Sequence, residues 1–217
     1  MTDGETDIRA VSARAMLLAA ELEAARRRKG LTTRELAQVM GMSPAMVNRI
    51  MNGRRAPEPM EIGGLCALTA IAAKRRPHLY RLARECALTE WTIHRVGEAR
   101  DPDGVIEALW ALASEIRTFS PATTRPRWPG GSATWTHYVP EGVADQDTVE
   151  RFAVPDHVHV IAAPPFRHGV QVLRFPHSAP VAVLELDYTT LVLEKDNAQP
   201  YLRAFDDALS PSRTRPA

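Results

Sequence analysis

The chain has 217 residues, of which 45% are apolar and 24% charged, and a formal net charge of +1. Those values exclude a disordered or low-complexity chain, and no apolar run approaches the roughly 20 residues that span a bilayer. The charge is uneven: residues 13–58 carry nine Lys or Arg against four Asp or Glu, and residues 137–217 carry seven against eleven, a division that suits a basic head on an acidic remainder.

The start, Met1-Thr-Asp-Gly-Glu-Thr-Asp7, is acidic and polar, unlike the basic and apolar start of a secretion signal. A cytoplasmic protein with a disordered tail over residues 1–12 is expected. From about Ala13 to Lys29 a first helix places Leu18, Leu22 and Ala25 on one face. The run Arg26 to Lys29 closes it, where positive charge suits the helix dipole, although the same run is also the composition of a nucleic-acid patch.

The segment Leu31 to Arg54 reads as two short helices around a tight turn, followed by a basic loop. Thr33 caps or opens the first of them. Ala37 stands at the crossing, where only a small side chain lets two backbones approach. Gly41 supplies the left-handed residue that ends the first helix, Ser43 caps the second, and Pro44 falls in its first turn, where a missing N–H costs nothing. Val47 and Ile50, with Leu36 and Val39 opposite, form the expected apolar seam. With that seam buried, Pro44, Ala45 and Asn48 point outward with Arg49 beside them. Short side chains let a helix enter a major groove, and the Asn48 amide suits bidentate pairing with an adenine edge. Arg49, Asn52, Arg54 and Arg55 are placed for phosphates, which fix register without reading sequence, and Thr33 adds a further phosphate hydrogen bond.

These features resemble the Xre or lambda-repressor-like helix-turn-helix family over roughly residues 16–73, from Leu18, Leu22 and Arg26-Arg-Arg-Lys-Gly30 through Asn52-Gly-Arg-Arg-Ala-Pro57. The resemblance implies a bundle of about five helices, usually dimeric on inverted-repeat DNA, with residues 43–51 as recognition helix. Thr33 stands where many members have glutamine, and Met51 where glutamate is common.

Pro57 and Pro59 mark a break before a fourth helix with Ile62, Leu65, Leu68 and Ile71, weakened locally by Gly63-Gly64. Pro77 opens a fifth, with Leu79, Leu82, Ala83 and Cys86. Cys66 and Cys86 read as buried thiols, without the clustered partners of a zinc site. Asp101-Pro-Asp-Gly104 is a turn, with Asp103 capping a helix that carries Ile106, Leu109, Ala113 and Ile116. Prolines, glycines and threonines over residues 120–136 predict a linker. Four strands follow, in His157–Ile161, Val170–Phe175, Val181–Leu186 and Thr190–Leu193, and alternation such as Val170, Gln171, Val172 predicts one buried and one wet sheet face. A last helix, from about Ala198 to Leu209, presents Tyr201, Leu202, Phe205 and Leu209 as core packing.

The predicted fold class is α+β: a helical head at 13–88, a helical connector and linker at 89–136, a small antiparallel sheet domain with a C-terminal helix at 137–210, and a disordered tail at 211–217. The second half resembles the C-terminal domain of unknown function that follows an Xre head in many actinobacterial regulators, through Ile106 to Phe119, Val170 to Phe175 and Tyr201 to Leu209. That resemblance implies a transcriptional regulator, and in some members an antitoxin-like protein beside a small protein partner. The segment Pro126 to Gly131 replaces an apolar helical stretch usual in the family.

An enzyme is not expected. His157 and His159 fall on one side of a strand, with His168 and His177 on turns, but no acidic ligand stands at a fixed spacing, and phosphate-loop and nucleophile-elbow motifs are missing. No cofactor or metal is expected. The expected partners are double-stranded DNA, at an operator near the chain's own gene, and a second copy of the chain. The alternative is a protein-binding regulator that neutralises a small neighbouring protein and autoregulates.

Overall fold

The computed structural model describes residues 10–94, 104–121, 132–142, 158–162, 165–208 and 214–216. They fall into two compact units, the first running to Leu88 and taking in His177–Ala179, the second formed by the rest.

The first unit is helical: α1 (Ala13–Arg28), α2 (Thr33–Met40), α3 (Pro44–Met51), α4 (Pro59–Leu68) and α5 (Arg76–Arg84). Ser12 caps α1 by accepting the Ala15 N–H, and the Val11 N–H donates to Gly53 O at 3.1 Å, so the expected tail gives way to ordered chain before residue 13. Leu22, Leu36, Val47, Ile50, Ile62, Leu65, Leu79 and Leu82 are fully buried, at least one from each helix. α1 packs on α3 and α5, and α4 on α2 and α5. Gly63 and Gly64 sit inside α4 because neighbours come close there. A Cβ would stand 2.8 Å from the Tyr80 hydroxyl at Gly63 and 3.3 Å from Met40 Cε at Gly64. Ile71 and Cys86, expected within helices, lie buried just beyond the ends of α4 and α5.

Arginines of this unit are tied down early. Arg14, only 3% exposed, lies 3.6 Å from Glu85 and donates to Leu88 O. Arg26 grips Glu23 through two nitrogens and donates to Leu31 O, and Arg27 adds a bond to Glu23. Arg26 hydrogen bonding outweighs burial and holds the Glu23 carboxyl below the usual range. Of the expected basic patch, Arg28 and Lys29 are left exposed without such bonds among the described contacts.

The second unit is a mixed sheet, in which the described strands run β1 (Glu90–His94), β7 (Thr189–Glu194), β6 (Val181–Glu185), β5 (Gly169–Arg174), β2 (Glu115–Phe119), β3 (Thr134–Pro140), β4 (Val158–Ile161) and β8 (Thr214–Pro216). β2 and β3 are parallel, as are β3 and β4, and the remaining neighbours are antiparallel. The expected all-antiparallel sheet is therefore corrected. So is the 89–136 connector, which contributes β1, β2, the first residues of β3 and the helix α6 (Val105–Leu112). α6 ends at Leu112, Ala113 turns extended, and Ile116 belongs to β2, paired with Leu173 and Trp135, instead of continuing the helix. Gly104, at φ 68°, occupies the N-cap of α6. Asp101, Asp103, Pro126 to Gly131, His157 and Leu209 lie outside the described residues. Thr214–Pro216 pair with β4, within the expected disordered tail.

Helix α7 (Gln199–Ala208) covers one sheet face, with Leu202 and Phe205 packed among Phe119, Tyr138, Ile161, Val170, Val172, Ala182 and Leu184. The other face is not wet, as the alternation had suggested. Gln171, Leu173, Val181 and Val183 are buried too. Gln171 is accommodated there because Trp110 Nε1, from α6, donates to its Oε1 at 2.8 Å and its Nε2 donates to Glu185 at 2.5 Å.

Candidate nucleic-acid interface

Two short helices meet at a turn that each local residue choice favours. Thr32 is the N-cap of α2: its hydroxyl accepts the Glu35 N–H, and the Glu35 carboxylate accepts the Thr32 N–H at 2.7 Å. Thr33 thus opens the helix and does not cap it. The Thr32 N–H foremost, and the Thr32 hydroxyl, which donates to the same carboxylate at 2.7 Å, hold the exposed Glu35 carboxyl below its ordinary range. Gly41 ends α2 at φ 64°, ψ 27°, and the Met42 N–H returns to Ala37 O at 2.9 Å. Ser43 then caps α3 by accepting the Met46 N–H, with Pro44 in the first turn.

The seam consists of Leu36, Ala37, Val47 and Ile50, all buried, with Met40 half-buried. Val39 is not part of it, being 67% exposed. Once Leu36 and Ala37 face inward, the next position on that stripe of α2 is 40, and 39 rotates outward.

An open concavity of about 630 Å³ lies between the first turns of α2 and α3, lined by Thr32, Thr33, Arg34, Pro44, Ala45 and Asn48. Four of the residues expected to meet DNA, Thr33, Pro44, Ala45 and Asn48, come together here, and Ser43 and Arg49 are exposed on α3 beside them. Arg34 and Thr32 escaped the sequence reading. Their signal was positional, since first-turn residues of both helices share one edge. Asn52, at the C-cap of α3, donates through Nδ2 to Asn48 Oδ1 at 3.2 Å.

The basic loop stands at the other end of α3, about 12 Å along the axis for an eight-residue helix. Arg54 and Arg55 both donate their N–H groups to Arg49 O, at 2.8 and 3.2 Å. Gly53 permits this turn at φ +68°, and a Cβ there would stand 2.7 Å from Ala10 Cβ and 3.0 Å from Ala15 O. Arg54 is exposed. Arg55 instead forms a two-pronged pair with Glu61, at 2.7 and 3.1 Å. Burial pushes the Glu61 carboxyl up, but Arg55 and the Glu58 N–H outweigh it and leave it below its ordinary value. A phosphate reaching Arg55 has to share it with Glu61.

In the second unit His159 stacks on Tyr138, with ring centroids 5.5 Å apart, and His168 is exposed; His177, which belongs to the first unit, is exposed too. Cys66 and Cys86 are buried thiols, Cys86 Sγ donating to Leu82 O at 3.0 Å, and burial pushes the Cys66 thiol up.

Two short helices joined at a left-handed glycine, with the second one's first turn facing outward, define a helix-turn-helix. Residues 17–79 match a family model described as a helix-turn-helix domain, which supports a DNA-binding regulator. No curated protein matches the chain. Among the described residues, no helix is long and apolar enough to cross a membrane.

Proposed function

We propose that the protein is a sequence-specific, Xre-like transcriptional regulator of the cytoplasm, regulatory and not catalytic, that reads an inverted repeat near its own gene as a dimer. Residues 43–51 are the recognition helix, and the sheet unit, residues 89–176 and 180–217, is the self-association or signal-receiving part. One observation carries this reading: the outward first turn of α3 presents Pro44, Ala45 and Asn48, small enough to enter a major groove, on the same concavity as Thr33 and Arg34. In this reading Asn48 contacts a base edge, and Thr33, Ser43, Arg49, Asn52, Arg54 and Arg55 hold the backbone. A dimer follows from geometry, because one short helix reads only a few base pairs and two half-sites a helical turn apart restore selectivity.

Binding of the wild type and Asn48→Ala to the duplex upstream of the gene, and to a random duplex, tests the reading. Asn48→Ala should lose about 1–3 kcal/mol on the specific duplex and almost nothing on the random one. Equal losses on both would remove Asn48 from base recognition.

A further inference from the structure

We propose that Asn52 is a positioning residue that turns the Asn48 amide into a donor toward DNA, so that the base at the centre of this site is guanine and not adenine. The inference rests on the reading of α3 as a recognition helix. A carboxamide pairs with adenine by accepting from N6–H and donating to N7, and so needs its oxygen and its nitrogen turned outward together. Here Asn48 Oδ1 is engaged along the helix by Asn52 Nδ2 at 3.2 Å. That bond engages the oxygen and leaves both Nδ2 hydrogens of Asn48, a residue lining the concavity, without a partner among the described contacts. The Asn52 backbone is fixed, its N–H closing α3 onto Asn48 O at 3.0 Å.

In the rest of the concavity Arg34 brings only donors, the Thr33 hydroxyl can donate or accept, the Thr32 O–H is given to Glu35, and Pro44 and Ala45 bring no side-chain polar atom. The nearby carboxylate, Glu35, is folded back onto the Thr32 N–H and hydroxyl. The donors of Arg34 and of the Asn48 amide are complementary to the guanine edge, which offers O6 and N7 as acceptors.

The test is selection of binding sites from a randomised duplex library by the full-length wild type, Asn48→Ala, Asn52→Asp and Asn52→Ala. Loss of preference in Asn48→Ala identifies the position read by Asn48. At that position the wild type should favour guanine. Asn52→Asp keeps the size of the side chain and its place at the helix end but can only accept. It should draw Asn48 Nδ2 inward, turn Oδ1 outward, and lower the guanine-to-adenine ratio by about tenfold, a change of about 1.4 kcal/mol. Its added negative charge weakens binding to every sequence alike, so the ratio and not the affinity is the readout. Asn52→Ala should lower the ratio less, by freeing the amide without reversing it. Adenine at the wild-type position, or an unchanged ratio in Asn52→Asp, would overturn the proposal while leaving the regulator reading intact. A library that yields no enriched motif for the wild type would overturn the regulator reading and this inference with it.

Discussion

Two glycines separate backbone need from packing need. Gly41 and Gly53 both have φ near +65°, but a Cβ at Gly41 meets open space and one at Gly53 meets Ala10 and the Ala15 carbonyl. Gly41→Ala should therefore cost only the left-handed strain, about 1 kcal/mol. Gly53→Ala adds overpacking and should cost about 3 kcal/mol. Denaturant unfolding of both variants checks this, and equal losses would contradict the packing described around Gly53. The two arginines next to that glycine divide in a similar way. Arg54 is exposed, whereas Arg55 is held by Glu61. If Arg54 meets a phosphate, Arg54→Ala should weaken binding to all sequences alike and reduce the slope of log K against log salt by about 1. A loss confined to one sequence, with the slope unchanged, would make Arg54 a base reader.

At the scale of elements, the first unit was legible because its signals are local. Ser43, Pro44, Gly41 and the Leu36–Ala37 stripe each state their geometry within a few residues; Val39 was misplaced by one helical position, and Ile71 and Cys86 fell just past helix ends. Much of the second unit was hidden because its signals are not local. Ile106, Leu109, Ala113 and Ile116 keep helical spacing across the point where α6 ends, and only pairing with β3 and β5 makes Glu115–Phe119 a strand. Gln171 looked solvent-facing because its partner, Trp110, is 61 residues away in sequence. The β2–β3 pair also carries a pH dependence. His137 accepts or donates at Nδ1 to the Thr118 hydroxyl at 2.7 Å and stacks on Trp135, and burial lowers its pKa from 6.5 to about 4. Between those values the unfolded chain takes up a proton that the folded one refuses. Stability from this group is complete above pH 6.5 and falls as pH drops toward 4, with about 2 kcal/mol lost between pH 6.5 and 5. Urea unfolding across that range should show the loss, and His137→Gln should flatten it. An unchanged slope in the variant would assign the pH dependence to other groups.

For the whole molecule, the basic charge is concentrated in the helical unit and the acidic excess in the last third of the chain. That distribution draws phosphates to the helical unit. The regulator reading demands more than attraction, because a basic surface alone binds any duplex. Footprinting on the DNA upstream of the gene, over a salt titration and with Asn48→Ala alongside, separates the two. The expected result is a symmetric protected region with half-sites about one helical turn apart, lost in the variant. Salt-sensitive binding with no bounded footprint, the same for wild type and variant, would mean that the helical unit holds DNA without reading it.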